Sequence, residues 1–227
     1  YIWAVRADRA VVLSPSPDQM GSRPFEGLEP AVHSAIEPVL ASMAAGQTAV
    51  GHYLWPSDDG LEERVAALEG GRGAIATASG HAAQLVTMFS LLGPGDSFVA
   101  SNKLYGGSVT QFGVSFKKMD WNCHFVDPSD PQNFADALTP TCKAIFIESL
   151  SNPGGVVTDI AAIADIAHAA GIPLIVDNTC ATPWGCRPLD WGADIVLHSA
   201  TKFLGGHGNS LGCIIVEGGD FDWAQND

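Results

Sequence analysis

The chain is expected to fold as an α/β protein, with a mostly parallel seven-stranded sheet and helices on both faces. Three observations predict this. Seven short apolar runs of strand length recur between positions 74 and 216. Turn-forming residues stand near each run, and stretches of helical periodicity separate several of them. Alternation of this kind builds right-handed crossovers, and these lay parallel strands side by side under helices.

Taken in order, residues 1–60 form an irregular amino-terminal arm. Ser14-Pro15-Ser16-Pro17 and Ser22-Arg23-Pro24 punctuate it, and only 31–45 has the periodicity of a short helix. Residues 61–227 form the large domain. Its opening segment, 61–68, has helical spacing and stops at Gly70-Gly71. The strand runs follow: Ala74-Ile75-Ala76, Phe98-Val99-Ala100, His124-Phe125-Val126, Ala144-Ile145-Phe146-Ile147, Leu174-Ile175-Val176, Ile195-Val196-Leu197 and Cys213-Ile214-Ile215-Val216. Helices are expected at 82–92, 134–138 and 160–170.

Composition excludes several classes. With 46% hydrophobic and 16% charged residues, 227 residues suffice for a sizeable core, and no apolar stretch reaches the length of a membrane-spanning helix. A formal charge of −14, with 11 Lys and Arg against 25 Asp and Glu, argues against nucleic acid or an anionic membrane as partner. The five cysteines are odd in number and lie mostly in or beside apolar runs, which points to a reducing, cytoplasmic setting. Neither they nor the seven histidines have metal-site spacing, so no metal is expected.

In a parallel sheet, ligands sit beyond the carboxyl ends of the strands, so the residues just after each run carry the functional reading. After the first run, Ser79-Gly80-His81 open a helix; small residues there let backbone N–H groups approach a phosphate, although Ser79 also serves as an ordinary N-cap. After the second, Tyr105 precedes Gly106-Gly107 and can lay its ring on a ligand. Glu148, Ser151 and Asn152 follow the fourth. Asp177 ends the fifth, where a carboxylate is expensive to desolvate unless a cation faces it. Lys202 stands between Ser199 and Thr201 after the sixth, and desolvation at that address lowers the pKa of an amine. A phosphate cradle, a carboxylate, an aromatic plate and a lysine are together what pyridoxal 5'-phosphate requires. A nicotinamide fingerprint is absent, because Gly71-Arg72-Gly73 precedes its strand instead of following it.

From about Leu61 to Trp223 the chain resembles the Cys/Met-metabolism family of pyridoxal-phosphate enzymes. The resemblance rests on Ala78-Ser79-Gly80-His81-Ala82-Ala83, Lys103-Leu104-Tyr105-Gly106-Gly107-Ser108, Ile147-Glu148-Ser149 with Ser151-Asn152-Pro153-Gly154-Gly155, Val176-Asp177-Asn178-Thr179, and the run from His198 through Lys202 to Gly208. It implies a fold-type-I transferase large domain. It implies, further, that Lys202 carries the cofactor as a Schiff base and shuttles protons, and that Asp177 pairs with the pyridine nitrogen. Ser199, Thr201 and the backbone of Gly80 and His81 would hold the phosphate. Tyr105 would stack on the ring, and Asn152 would lie near the 3-oxygen or the substrate carboxylate.

The reaction so implied is γ-replacement on O-acetyl-L-homoserine, with sulfide or a thiol as partner, giving homocysteine or methionine in a homo-oligomer. Two alternatives stay open: γ- or β-elimination on a sulfur amino acid, and a truncated chain without activity. Two departures from the family bear on them. Tyr53-Leu54-Trp55 stands where relatives carry a Tyr-x-Arg pair, and the smaller carboxy-terminal domain, with its substrate-gripping arginine, is expected to be absent after Asp227.

Overall fold

A computed structural model describes residues 2–6, 9–13 and 61–225, so the helix expected at 31–45 and Tyr53 lie outside the described residues. The chain divides into two compact units, 1–64 and 65–227. In the first, β1 (Ile2–Arg6) and β2 (Arg9–Leu13) pair antiparallel, from Ile2 opposite Leu13 to Arg6 opposite Arg9. A two-stranded ribbon thus stands inside the stretch expected to be irregular.

The second unit is built on seven strands: β3 (Gly73–Thr77), β4 (Ser97–Ser101), β5 (Asn122–Val126), β6 (Cys142–Glu148), β7 (Leu174–Asp177), β8 (Ile195–His198) and β9 (Cys213–Glu217). All seven apolar runs are strands. Their order is β3-β9-β8-β7-β6-β4-β5. Strands β4 to β8 are mutually parallel, while β9 runs antiparallel to both its neighbours, so β3 shares the direction of the other five. Reversal is therefore confined to one strand.

The pleat sends successive side chains to opposite faces and makes two cores. On one face Val99, Ile145, Ile147, Leu174, Val176, Val196, Ile214 and Val216 pack with Val65 and Ala66 of α1 (Leu61–Glu69), Phe134 of α4 (Gln132–Ala137) and Ile163 of α5 (Ile160–Ala169). On the other, Phe98, Ala100, Phe146, Ile175, Ile195 and Leu197 pack with Ala83 and Met88 of α2 (Gly80–Leu91) and with Phe112 and Phe116. Both faces are covered, as the near-continuous apolar runs require.

Local chemistry sets the helix ends. Gly70 ends α1 at φ +81°, a conformation in which glycine is unstrained. Asp159 caps α5 by accepting from the backbone N–H of Ala162 at 3.1 Å. One element departs from expectation: α3 (Gly106–Thr110) continues through a π turn at Gln111–Ser115 into a 3₁₀ turn at Phe116–Met119. Two glycines weaken the local helical signal, but Phe112 and Phe116, four apart, stack at 5.3 Å in the core and override it. A four-residue helix, α6 (Thr182–Gly185), follows β7.

Candidate active site

Because β3, β4, β6, β7 and β8 run in one direction, their carboxyl ends lie along one edge of the sheet, and each sequence-marked residue follows one of them. Glu148 and Asp177 are paired residues at the ends of adjacent strands β6 and β7. Burial pushes both carboxyls up, Glu148 to about 7, with Asp177 contributing repulsion to Glu148. Thr179 opposes the rise at Asp177: its N–H donates to Oδ1 at 3.0 Å, and the Gln84 amide also reaches this carboxyl. Among the described residues neither carboxylate is paired with a lysine or arginine. Carboxyls so placed would suit a cation brought by a ligand.

Glu148 also acts as a staple. Its Oε1 accepts from the N–H of Tyr105 at 2.7 Å and its Oε2 from the N–H of Asn152 at 3.0 Å, so one buried carboxylate fixes the two loops that carry Tyr105 and Asn152. Tyr105, 48% exposed, stands immediately before α3, with its ring 6.2 Å from that of His81. Gly107 permits this approach: a Cβ there would lie 2.6 Å from Tyr105 Cε1 and 2.7 Å from His81 Nε2.

The anion side is built at the start of α2. Ser79 is its N-cap, accepting from Ala82 N–H at 3.2 Å, which is the ordinary capping role expected for it. Gly80 lies against Ser199, where a Cβ would come within 3.3 Å of Ser199 Cβ; the glycine keeps this cradle open. Thr179 Oγ1 accepts from Ser199 N–H at 2.8 Å, which links the anion side to Asp177 through one residue. A dianion at the N-terminus of α2 and a cationic ring nitrogen at Asp177 fit these residues together.

Two expected residues are placed otherwise. The Thr201 hydroxyl is engaged with Gly212, donating to its carbonyl at 3.2 Å and accepting from its N–H at 3.1 Å, so no hydroxyl hydrogen remains for a phosphate. Lys202 follows β8 in a turn held by its own N–H to Ser199 O at 3.0 Å and by Gly206 N–H to its carbonyl at 2.8 Å, and its side chain is exposed. The desolvated lysine expected from its strand-end position is therefore not what this unit supplies: the turn lies beyond the sheet edge, among Gly205, Gly206 and Gly208, where little covers it.

A further polar cluster lies behind the site. Glu69, Asn178 and His198 are wholly buried, and Glu69 Oε1 accepts from Asn178 Nδ2 at 2.9 Å and bonds His198 Nε2. Asn178 in turn accepts from Ser149 Oγ at 2.7 Å. The sequence holds one sign of this: an acidic residue in the last turn of α1 opposes the helix dipole, so a buried partner is needed to keep it there. Among the described residues no helix is long and apolar enough to cross a membrane, and no group of three or more His, Cys, Asp or Glu could hold a metal ion.

Comparison with known proteins gives a consistent result. The family profile described as Cys/Met metabolism PLP-dependent enzyme matches residues 44–227. O-acetyl-L-homoserine sulfhydrylase of Leptospira meyeri is 48% identical over 170 residues, 75% of this chain and 38% of that protein. Homocysteine/cysteine synthase of Saccharomyces cerevisiae is 46% identical over 169 residues, 74% of this chain and 38% of that protein. A crystal structure described as an O-acetylhomoserine (thiol)-lyase from Campylobacter jejuni, containing N'-pyridoxyl-lysine-5'-monophosphate, superposes with a TM-score of 0.70 at 37% identity, over 71% of this chain and 40% of that one. The chain thus spans well under half the length of these relatives.

Proposed function

The chain belongs to the family of Cys/Met-metabolism PLP-dependent enzymes, and we propose that it forms the cofactor-binding part of an O-acetylhomoserine sulfhydrylase. Residues 61–227 are the cofactor-binding domain, and 1–60 the arm. The substrate class is an O-acetylated homoserine with sulfide or a thiol, as the names of the relatives at 46–48% identity support. The observation that carries the reading is the convergence at one sheet edge of a half-buried carboxylate without a lysine or arginine partner among the described residues, Asp177, and a glycine-opened helix start, Gly80 against Ser199.

Bound there, pyridoxal 5'-phosphate supplies an electron sink for the substrate α-carbon. The residues of this chain do the rest. Asp177 holds the proton on the pyridine nitrogen, with Thr179 fixing the carboxylate. The first N–H groups of α2, at Gly80 and His81, with Ser199 beside them, take the phosphate. Tyr105 covers the ring, its backbone tied by Glu148, and Asn152 is set by the other oxygen of that carboxylate. Lys202, exposed in its turn after β8, carries the cofactor and moves protons at the α- and β-carbons.

A cytoplasmic, homo-oligomeric protein belongs to the same reading. All five cysteines are free, as in a reducing compartment, and large apolar side chains such as Phe89, 71% exposed, and Trp184, 97% exposed, are what an interface between copies would cover.

The test is sulfide-dependent acetate release from O-acetyl-L-homoserine, measured alongside the visible absorbance of the bound cofactor in the whole protein. Lys202→Ala is expected to abolish that absorbance and reduce turnover by at least about 10³-fold, since it removes the nucleophile and the proton carrier together. Ammonia and a keto acid in place of a thiol product would instead mark an elimination enzyme. No cofactor absorbance in the parent protein would sink the reading.

A further inference from the structure

We propose that Glu69 is a positioning residue for the cofactor: from the end of α1 it ties Asn178 to His198 behind the sheet and so sets the spacing of Asp177 and Ser199 in front of it. The inference rests on the cofactor reading above. Val176 and Asn178 face the α1 side, as do Val196 and His198, so Asp177 and Ser199, one residue along in each strand end, face the α2 side. The contact of Ser199 with Gly80 at the start of α2 agrees with that assignment.

The two front residues would hold two parts of one ligand molecule: Asp177 the ring nitrogen and Ser199 the phosphate. Their separation is the separation of the ends of β7 and β8, and Glu69 spans those ends from behind. Its Oε1 takes Nδ2 of Asn178 at 2.9 Å and Nε2 of His198 together. Asn178 is held on further sides. Asn178 also donates to the Cys186 carbonyl at 2.8 Å and receives Ser149 Oγ at 2.7 Å, and its backbone N–H donates to Leu197 O at 2.8 Å. The far end is anchored as well: Arg187 Nε donates to the Glu69 carbonyl at 3.3 Å, and the positive-φ Gly70 leaves no room for a side chain beside that guanidinium.

The fold alone does not ask for this arrangement. A fully buried carboxylate is costly to desolvate, and apolar side chains of similar volume commonly replace buried ion pairs without loss of stability. Here, moreover, Glu69 Oε2 and His198 Nδ1 are buried with no hydrogen-bond partner among the described residues. The return lies at the front of the sheet, where His198 also acts electrostatically on Asp177 in the direction that favours its ionised form.

The experiment compares parent, Glu69→Leu, Glu69→Gln and Glu69→Asp in the whole protein by titration with pyridoxal 5'-phosphate, reading cofactor affinity, the visible spectrum of the bound cofactor and thermal melting. Glutamine keeps an oxygen that accepts from both partners, so its affinity is expected within about threefold of the parent. Leucine removes both bonds and is expected to weaken cofactor binding at least tenfold and shift the bound spectrum, even at temperatures where the variant is fully folded. Should the leucine variant fail to melt cooperatively, aspartate decides. Its carboxylate is drawn back by about the length of one methylene, and at least a threefold loss of affinity is expected. A purely structural role would lower the melting temperature and leave affinity and spectrum of the folded protein at parental values; that result overturns the proposal. Failure of the parent itself to bind the cofactor through Lys202 overturns the cofactor reading, and this inference with it.

Discussion

Glu148 shows how much one side chain can organise. Its two oxygens each take a backbone N–H from a different loop, and its carboxyl is held up to about 7 by burial and by Asp177 on the neighbouring strand. Against an ordinary value of 4.5, the folded chain binds this proton more tightly than the unfolded chain does. The sign follows: the stability that Glu148 contributes is full below about pH 4.5, declines as pH rises, and is gone above about pH 7. Glu148→Gln presents an amide to one of the two N–H groups and leaves it without an acceptor, which is expected to destabilise by about 1–3 kcal/mol at pH 5. That deficit should narrow as pH rises through 7, because only the parent loses stability there. Urea midpoints of both proteins at pH 5 and pH 8 check it, and a widening gap would contradict the assignment. The sequence marks Glu148 as a strand-end residue; which backbone groups it would accept from depends on loops 43 and 4 residues away meeting at one point.

At the scale of elements, the Tyr105 turn and α3 behave as one unit. Gly106 and Gly107 look like turn residues in the sequence, yet both lie in a helix that the aromatic core holds in place from Phe112 and Phe116. Gly107→Ala tests what the glycine is for. Alanine improves helix propensity by up to about 1 kcal/mol, so melting temperature is expected to stay level or rise. Its methyl nevertheless collides with Tyr105 Cε1 and His81 Nε2, and must push the exposed tyrosine ring out of place. Loss of a stacked aromatic contact is worth about 0.5–1.5 kcal/mol, or up to about tenfold in cofactor affinity. Isothermal titration with pyridoxal 5'-phosphate reads the drop; unchanged affinity would mean that Tyr105 does not cover the ring.

At the scale of the large unit, the sheet separates two cores that share strands but not side chains. Ile163, on α5, and Ile175, on β7, are both fully buried and lie on opposite faces. Ile163→Val and Ile175→Val are each expected to destabilise by about 0.5–1.5 kcal/mol, and the double variant by their sum within about 0.5 kcal/mol. Denaturation of the single and double variants measures this. A larger coupling would show that strain passes through the sheet. The same separation explains the layout of the candidate site, with Asp177 and Ser199, proposed to hold the cofactor, on the α2 side and the Glu69 cluster on the α1 side.

The sequence by itself determined the seven strands, the helices α1, α2, α4 and α5, and the strand-end positions that make up the candidate site. Apolar runs, helical spacing and the two-residue period of a strand are local signals, and Asp177, Ser199 and Tyr105 follow from them. Only the tertiary structure decided the strand order, the reversal of β9, the helix through Gly106 and Gly107, the engagement of Thr201 with Gly212, the exposure of Lys202 and the meeting of Glu69 with His198 across 129 residues. The physical reason is common to all of them: an apolar run is the same in either direction, and a polar side chain takes whichever donor or acceptor folding brings to it, so partners far apart in the chain are chosen by which faces must be buried together.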